Sequence, residues 1–109
     1  MSYSVKTIPY FDRQAKRLIR KYSSFRSELT ELAKTLAKDP TQGIKLGNDC
    51  YKIRVAVKSK RQGKSGGARA ITHVIAVKKD VYLLSVFDKS EKETISDKQL
   101  QELLKQIPK

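Results

Sequence analysis

Lys52, Arg54, Arg69 and Lys89 are the residues in this sequence best suited to chemistry. Lys52 and Arg54 sit in a segment where Ile53, Val55 and Val57 alternate with Lys52, Arg54, Ala56 and Lys58. That is the period of a half-buried strand, so both cations leave the same face. Arg69 enters the next β-branched run with Ile71 and His73 on its side, and Lys89 and Lys92 follow a third apolar run. Arginine keeps its charge and grips phosphate through paired hydrogen bonds. A lysine crowded by cations loses its proton more easily and can exchange protons near neutrality. Such a set suffices for metal-free RNA cleavage. A base takes the proton of a 2′-OH, the oxygen attacks the adjacent phosphate, and Arg stabilises the dianionic transition state. The substrate brings its own nucleophile. A basic strand face is also commonly a passive nucleic-acid surface, so periodicity alone leads to a basic α+β domain that binds RNA or DNA.

Other chemistries find less support. The acidic residues are scattered, and the near neighbours Glu28 with Glu31 and Glu91 with Glu93 fall on predicted helix surface or loop. His73 lies mid-strand, where packing is its commoner role; it and Lys92 are further candidates for the site. Gly63-Lys64-Ser65 looks like part of a phosphate-binding loop, but that motif needs glycine where Lys58 stands, and a strand rather than a helix follows. Cys50 is the only cysteine and His73 the only histidine. No internal disulfide or zinc set is expected, and Cys50 reads as a small buried residue. No metal and no cofactor are expected.

The 109 residues suit one domain, 1–109, and the net charge is +13 from 24 basic and 11 acidic residues. The run from Tyr51 to Lys79 contains no acidic residue, so a polyanion is the expected partner. Lys58, Lys60, Arg61 and Lys64 are expected at a loop tip, gripping RNA phosphates without chemistry. No apolar run approaches the roughly 20 residues that span a bilayer, and the start of the chain lacks a signal-peptide apolar segment. No membrane association and a cytoplasmic location are therefore expected.

These cations need a frame. Tyr3 to Ile8 alternates loosely and predicts a strand. Phe11, Ala15, Leu18, Ile19 and Tyr22 form one face of a helix beginning near Pro9, and Asp12, Arg13, Lys16, Arg17, Arg20 and Lys21 take the other. Ser23 and Ser24 offer caps for a second helix with Phe25, Leu29, Leu32, Ala33 and Leu36 inward. Lys38-Asp39-Pro40 stops it. Thr41 to Cys50 reads as a loop. The basic strand, a glycine-rich turn, Ile71 to Val77 and Val81 to Phe87 follow, the last apolar enough to be covered on both faces. Ser96 with Gln99 forms a capping box, with Ile95 stapled to Leu100, for a final helix carrying Leu100, Leu103, Leu104 and Ile107. Short connections between the later strands predict an α+β fold. Its sheet is mainly antiparallel, of about four strands, with an N-terminal helical hairpin and a C-terminal helix.

At Cys50-Tyr51-Lys52-Ile53-Arg54, Gly66-Gly67-Ala68-Arg69 and Phe87-Asp88-Lys89-Ser90-Glu91-Lys92, the chain resembles the RelE/ParE superfamily of bacterial toxins, closest to its RelE/HigB-like branch. The resemblance in element order covers almost the whole chain. It implies a toxin of a toxin–antitoxin pair that inhibits translation as a ribosome-dependent mRNA endonuclease. It also implies catalytic roles for Lys52, Arg54, Arg69 and Lys89, with Lys92 the weaker match after the last strand. A small cognate antitoxin, the ribosome and its mRNA are the implied partners, with operator DNA bound only through the antitoxin complex. The chain departs from RelE at one point. RelE carries a base-stacking Tyr near its C-terminus, whereas the matching position here is about Ile95 and no Tyr follows Tyr82. A ParE-like gyrase inhibitor and a non-catalytic nucleic-acid-binding domain are the alternatives.

Overall fold

Pro9, which has no N–H to leave unpaired, takes the first turn of helix α1 (Pro9–Lys21) in the computed structural model, which describes residues 2–60 and 66–108. Phe11, Ala15 and Leu18 are buried along its inner face. Helix α2 (Phe25–Lys38) buries Phe25, Leu32 and Leu36 and completes the expected helical hairpin. Ser24 occupies the N-cap position of α2, but its hydroxyl makes no cap bond. It donates instead to Glu28 Oε1 at 3.0 Å and accepts from the Ser59 N–H at 3.1 Å, tying α2 to the segment after the basic strand.

Five strands form one sheet: β1 (Ser4–Thr7), β2 (Ile44–Gly47), β3 (Cys50–Val55), β4 (Ala68–Ile75) and β5 (Asp80–Asp88), in the order β1-β5-β4-β3-β2. The expectation of about four mainly antiparallel strands is corrected in two ways. β1 pairs parallel to β5, and the segment read as a loop contains β2, antiparallel to β3. The β2–β3 hairpin closes through Asn48 and Asp49, both left-handed (φ 54° and 58°). Two such residues in succession give the twist that a two-residue hairpin needs. The remaining ladders, β3 with β4 and β4 with β5, are antiparallel as expected.

β4 begins at Ala68, three residues before the predicted Ile71, because Gly67 lets the two backbones meet. A Cβ there would lie 2.2 Å from the Val55 carbonyl oxygen, inside any tolerable contact. β5 is buried along its whole length, as its apolar run predicted. On one side α1 covers it, with Gln14 Oε1 accepting from Ser85 Oγ at 2.9 Å and the Val86 N–H at 3.1 Å. Helix α3 (Asp97–Leu104) starts at Ser96, whose hydroxyl accepts the Gln99 N–H at 3.1 Å. The Gln99 side chain does not return to Ser96; it reaches the Tyr10 hydroxyl at 3.3 Å and so ties α3 to α1. No helix among the described residues is long and apolar enough to cross a membrane.

Candidate active site

Strand alternation splits β3 from Tyr51 onward. Tyr51, Ile53 and Val55 are buried, while Lys52 is half-buried and Arg54 exposed on the opposite face. The register then gathers partners from both sides. Ile44 of β2 stands opposite Lys52, and Arg69 of β4 stands opposite Arg54. The turn after β5 adds Lys89, whose Nζ lies 3.5 Å from Glu93 Oε1. Lys52 Nζ donates to the Glu93 carbonyl oxygen at 3.4 Å, pinning that turn over the strand face. Ile44, Lys52, Arg54, Arg69, Lys89 and Glu93 together line an open cleft of about 190 Å³.

Arg69 is the anchor of this cluster. Only 5% of it is exposed, and its guanidinium donates to the Ala68 carbonyl at 3.1 Å. Burial, then the charge of Arg54, lowers its proton affinity, and Glu93 opposes that shift. A guanidinium remains charged under such a shift. A buried fixed cation facing an exposed one is a strong seat for a dianionic phosphate, because little solvent has to be reorganised around it.

The other predicted residues lie apart. Lys92 turns away, its Nζ 4.8 Å from the Phe87 ring centroid and 3.2 Å from Gln99 Oε1. His73 pairs across β3 with Cys50, its Nδ1 3.5 Å from Cys50 Sγ. It lines a separate cleft with Asn48, Ile75 and the end of α3. Cys50 is buried, and burial pushes its thiol up to about 12, so it holds its proton and packs as expected. Lys58 has an exposed side chain, and its backbone N–H donates to Glu28 Oε2 at 2.6 Å. Arg61 and Lys64 lie outside the described residues.

Lys60 requires a correction. Only 8% of its side chain is exposed, and its Nζ lies 2.6 Å from Asp88 Oδ1, so it is a structural cation and not a loop-tip one. Asp88 is itself 1% exposed. Burial works against its ionisation, but hydrogen bonds from Lys60, Tyr22 and Ser90 outweigh it and hold the carboxyl well below the usual carboxylate range. The Asp88 carboxylate also caps the turn that carries Lys89, through the Ser90 N–H at 3.0 Å and Ser90 Oγ at 2.8 Å.

Sequence reasoning passed over Glu93, Ile44 and Asp88. Glu93 had one usable signal, its spacing of four residues from Lys89. Ile44 had none, since its strand was read as loop. It is 54% exposed, a rare state for a large apolar side chain among the described residues. Ile95, near which the resemblance led one to expect an aromatic, is 8% exposed and offers no stacking surface. Among the described residues no three His, Cys, Asp or Glu side chains converge as metal ligands would.

Comparison with known proteins gives one family and one fold. The model of the family described as the RelE toxin of the RelE/RelB toxin–antitoxin system matches residues 9–109. No curated protein sequence matches. Among solved structures, a double arginine-to-alanine mutant of E. coli RelE in the free state is similar, with a TM-score of 0.61 and 22% identity. The match covers 99% of this chain and 100% of that one. The intact E. coli RelBE toxin–antitoxin complex matches with a TM-score of 0.61 and 22% identity over 79% of this chain and 95% of that one. The RelBE2 toxin–antitoxin complex of Mycobacterium tuberculosis matches at 0.57 and 12% identity, over 81% and 92%. At these identities the structures speak for the fold.

Proposed function

The chain belongs to the RelE family of toxins from toxin–antitoxin systems, and from that premise we propose that it is a ribosome-dependent mRNA endonuclease that arrests translation. The observation that carries this reading is the convergence of Lys52, Arg54, Arg69 and Lys89 on one open cleft, from two paired strands and the turn after a third. Four cations around a cleft of this size suit a phosphodiester in the act of gaining charge. Arg69 and Arg54 hold the non-bridging oxygens. Lys52 and Lys89 neutralise the transition state and supply a proton to the departing 5′-oxygen. The attacking oxygen is the RNA's own 2′-OH.

The ribosome enters as the scaffold that presents mRNA in a cleavable conformation, which relieves a small domain of building a base-recognition pocket. A cognate antitoxin is the proposed silencing partner, and operator DNA is bound only through the complex of the two. The cytoplasm, where translation takes place, is the proposed location.

The test is mRNA cleavage in a purified translation system, with and without ribosomes, by wild type, Arg69→Ala and Arg54→Ala. Cuts are expected only on ribosome-bound message. Each substitution should slow cleavage by about 10²–10³, the usual loss for one transition-state donor. The exposed Arg54 serves as the control for folding, because its side chain is not part of the buried core. Growth arrest without cuts would sink the reading and favour a gyrase-directed toxin. Neither cuts nor arrest would leave a binding domain.

A further inference from the structure

The cleft that gathers the four cations does not end at Ile44. Beside it lies a second cleft of about 400 Å³, lined by Gln42, Gly43, Ile44, Lys52, Ile53 and Arg54, so Ile44, Lys52 and Arg54 belong to both. A volume of this order suits a small organic group. The lining changes character from one to the other. Lys52, Arg54, Arg69 and Lys89 around the first suit a phosphate. The second adds Ile53 and the neutral amide of Gln42 to Ile44, which suits a flat, uncharged group. In RNA the flat, uncharged group carried beside each phosphate is the nucleobase.

Local structure prepares this second cleft. Gly43, with φ 101°, lets the chain before β2 lie on β3: a Cβ there would come within 2.5 Å of the Lys52 carbonyl oxygen. That close approach brings Gln42 and Ile44 to Lys52 and Arg54. Ile44 stands opposite Lys52 in the β2–β3 ladder and is 54% exposed. Ile44 offers a base apolar contact, and the Arg54 guanidinium offers a plane to stack on.

Gln42 is half-buried, and its amide has a fixed orientation. Its Nε2 donates to Thr35 Oγ1 at 3.1 Å and to the Asp39 carbonyl oxygen at 3.2 Å. The Thr35 hydroxyl gives its own proton to the Leu32 carbonyl at 3.0 Å, so towards Gln42 it accepts. The amide nitrogen is therefore committed to α2 and the loop after it. Oε1, an acceptor only, is the atom left for a ligand in the cleft.

We propose that Gln42, Ile44 and Arg54 form a subsite for a nucleobase flanking the scissile phosphate, selective for adenine and cytosine, an assignment that rests on reading the protein as an RNA-cleaving toxin. The base lies against Ile44 and the Arg54 guanidinium while the phosphate stays among the cations. Gln42 Oε1 accepts from the exocyclic amine of adenine or cytosine. Guanine and uracil carry a carbonyl oxygen at the corresponding place, so two acceptors would face each other.

The experiment is single-turnover cleavage of defined mRNAs on stalled ribosomes by wild type, Gln42→Leu, Ile44→Ser and Ile44→Val. The messages carry cytosine or uracil, and adenine or guanine, at each position of the presented codon. Wild type should cut the cytosine and adenine messages about tenfold faster than their partners at one position flanking the cut, the worth of one hydrogen bond made rather than lost. Gln42→Leu should level each pair at that position. A merely structural role for Gln42 would slow all messages alike and keep the ratio. Ile44→Ser should raise the half-saturating toxin concentration about tenfold, and Ile44→Val should recover most of it. Equal cutting of both members of each pair by wild type, or an unchanged ratio in Gln42→Leu, would overturn the subsite and leave the proposed function standing. So would unaltered saturation in Ile44→Ser, which, if antitoxin binding weakened instead, would assign Ile44 to a protein interface. Absence of cleavage by wild type would overturn the subsite together with the reading it rests on.

Discussion

At the scale of single residues, the molecule separates cations that hold the fold from cations that face the cleft. Lys60 and Arg69 are both nearly buried; Lys60 Nζ lies 2.6 Å from the Asp88 carboxylate, and Arg69 lines the cleft. Removing one member of a buried pair strands the other's charge. Asp88→Asn should therefore cost about 3–5 kcal/mol of stability, measured by urea denaturation. The pH dependence has a definite sign. The folded carboxyl of Asp88 lies well below the usual range because Lys60, Tyr22 and Ser90 bond its charged form. Its contribution is then complete above the ordinary carboxylate value of about 4 and is lost as pH falls towards the folded value. Wild-type stability should decline below about pH 4 and that of Asp88→Asn should decline less; parallel acid denaturation curves would refute the assignment. Because Asp88 also caps the turn bearing Lys89, the same substitution should reduce cleavage by displacing that lysine.

At the scale of elements, short local devices aim the cluster. Asn48 and Asp49 close the β2–β3 hairpin and thereby set Ile44 beside Lys52. Gly67 lets β4 start against Val55, which sets Arg69 opposite Arg54. Gly67→Ala would force the Val55 carbonyl aside, so it should lower the thermal midpoint and slow cleavage together, checked by calorimetry and the cleavage assay. Ser96 caps α3, and Ser96→Ala should cost about 1 kcal/mol in urea denaturation. Cleavage at low temperature should persist in that variant, since α3 contributes no residue to the cleft lining.

At the scale of the whole molecule, charge far exceeds what the cleft uses. The net charge is +13. On α1, Arg17 pairs with Glu91 at 3.2 Å, while Arg13, Lys16 and Arg20 are exposed and have no acidic partner among the described residues. Arg13, Lys16 and Arg20 together should add phosphate contacts on the ribosome. Replacing all three with Ser should reduce the slope of log affinity against log salt by about two to three, read by titrating ribosomal subunits at several ionic strengths. An unchanged slope would place the docking face elsewhere. Much of this molecule was legible in one dimension. Apolar periodicity, Pro9 and Pro40, and the Ser96 cap located the helices and most strands, because those signals act within a few residues. The excess of cations pointed to a polyanion, because net charge needs no fold to be felt. Strand alternation and charge supplied Lys52, Arg54, Arg69 and Lys89 as candidates, and the family motifs pointed to the same four. Only the tertiary structure decided that β1 runs parallel to β5, that Lys60 is buried with Asp88, that His73 is turned to another cleft, and that Glu93 stands among the cations. Each of these depends on which distant segments pair and in what register, and local pattern carries no information about that.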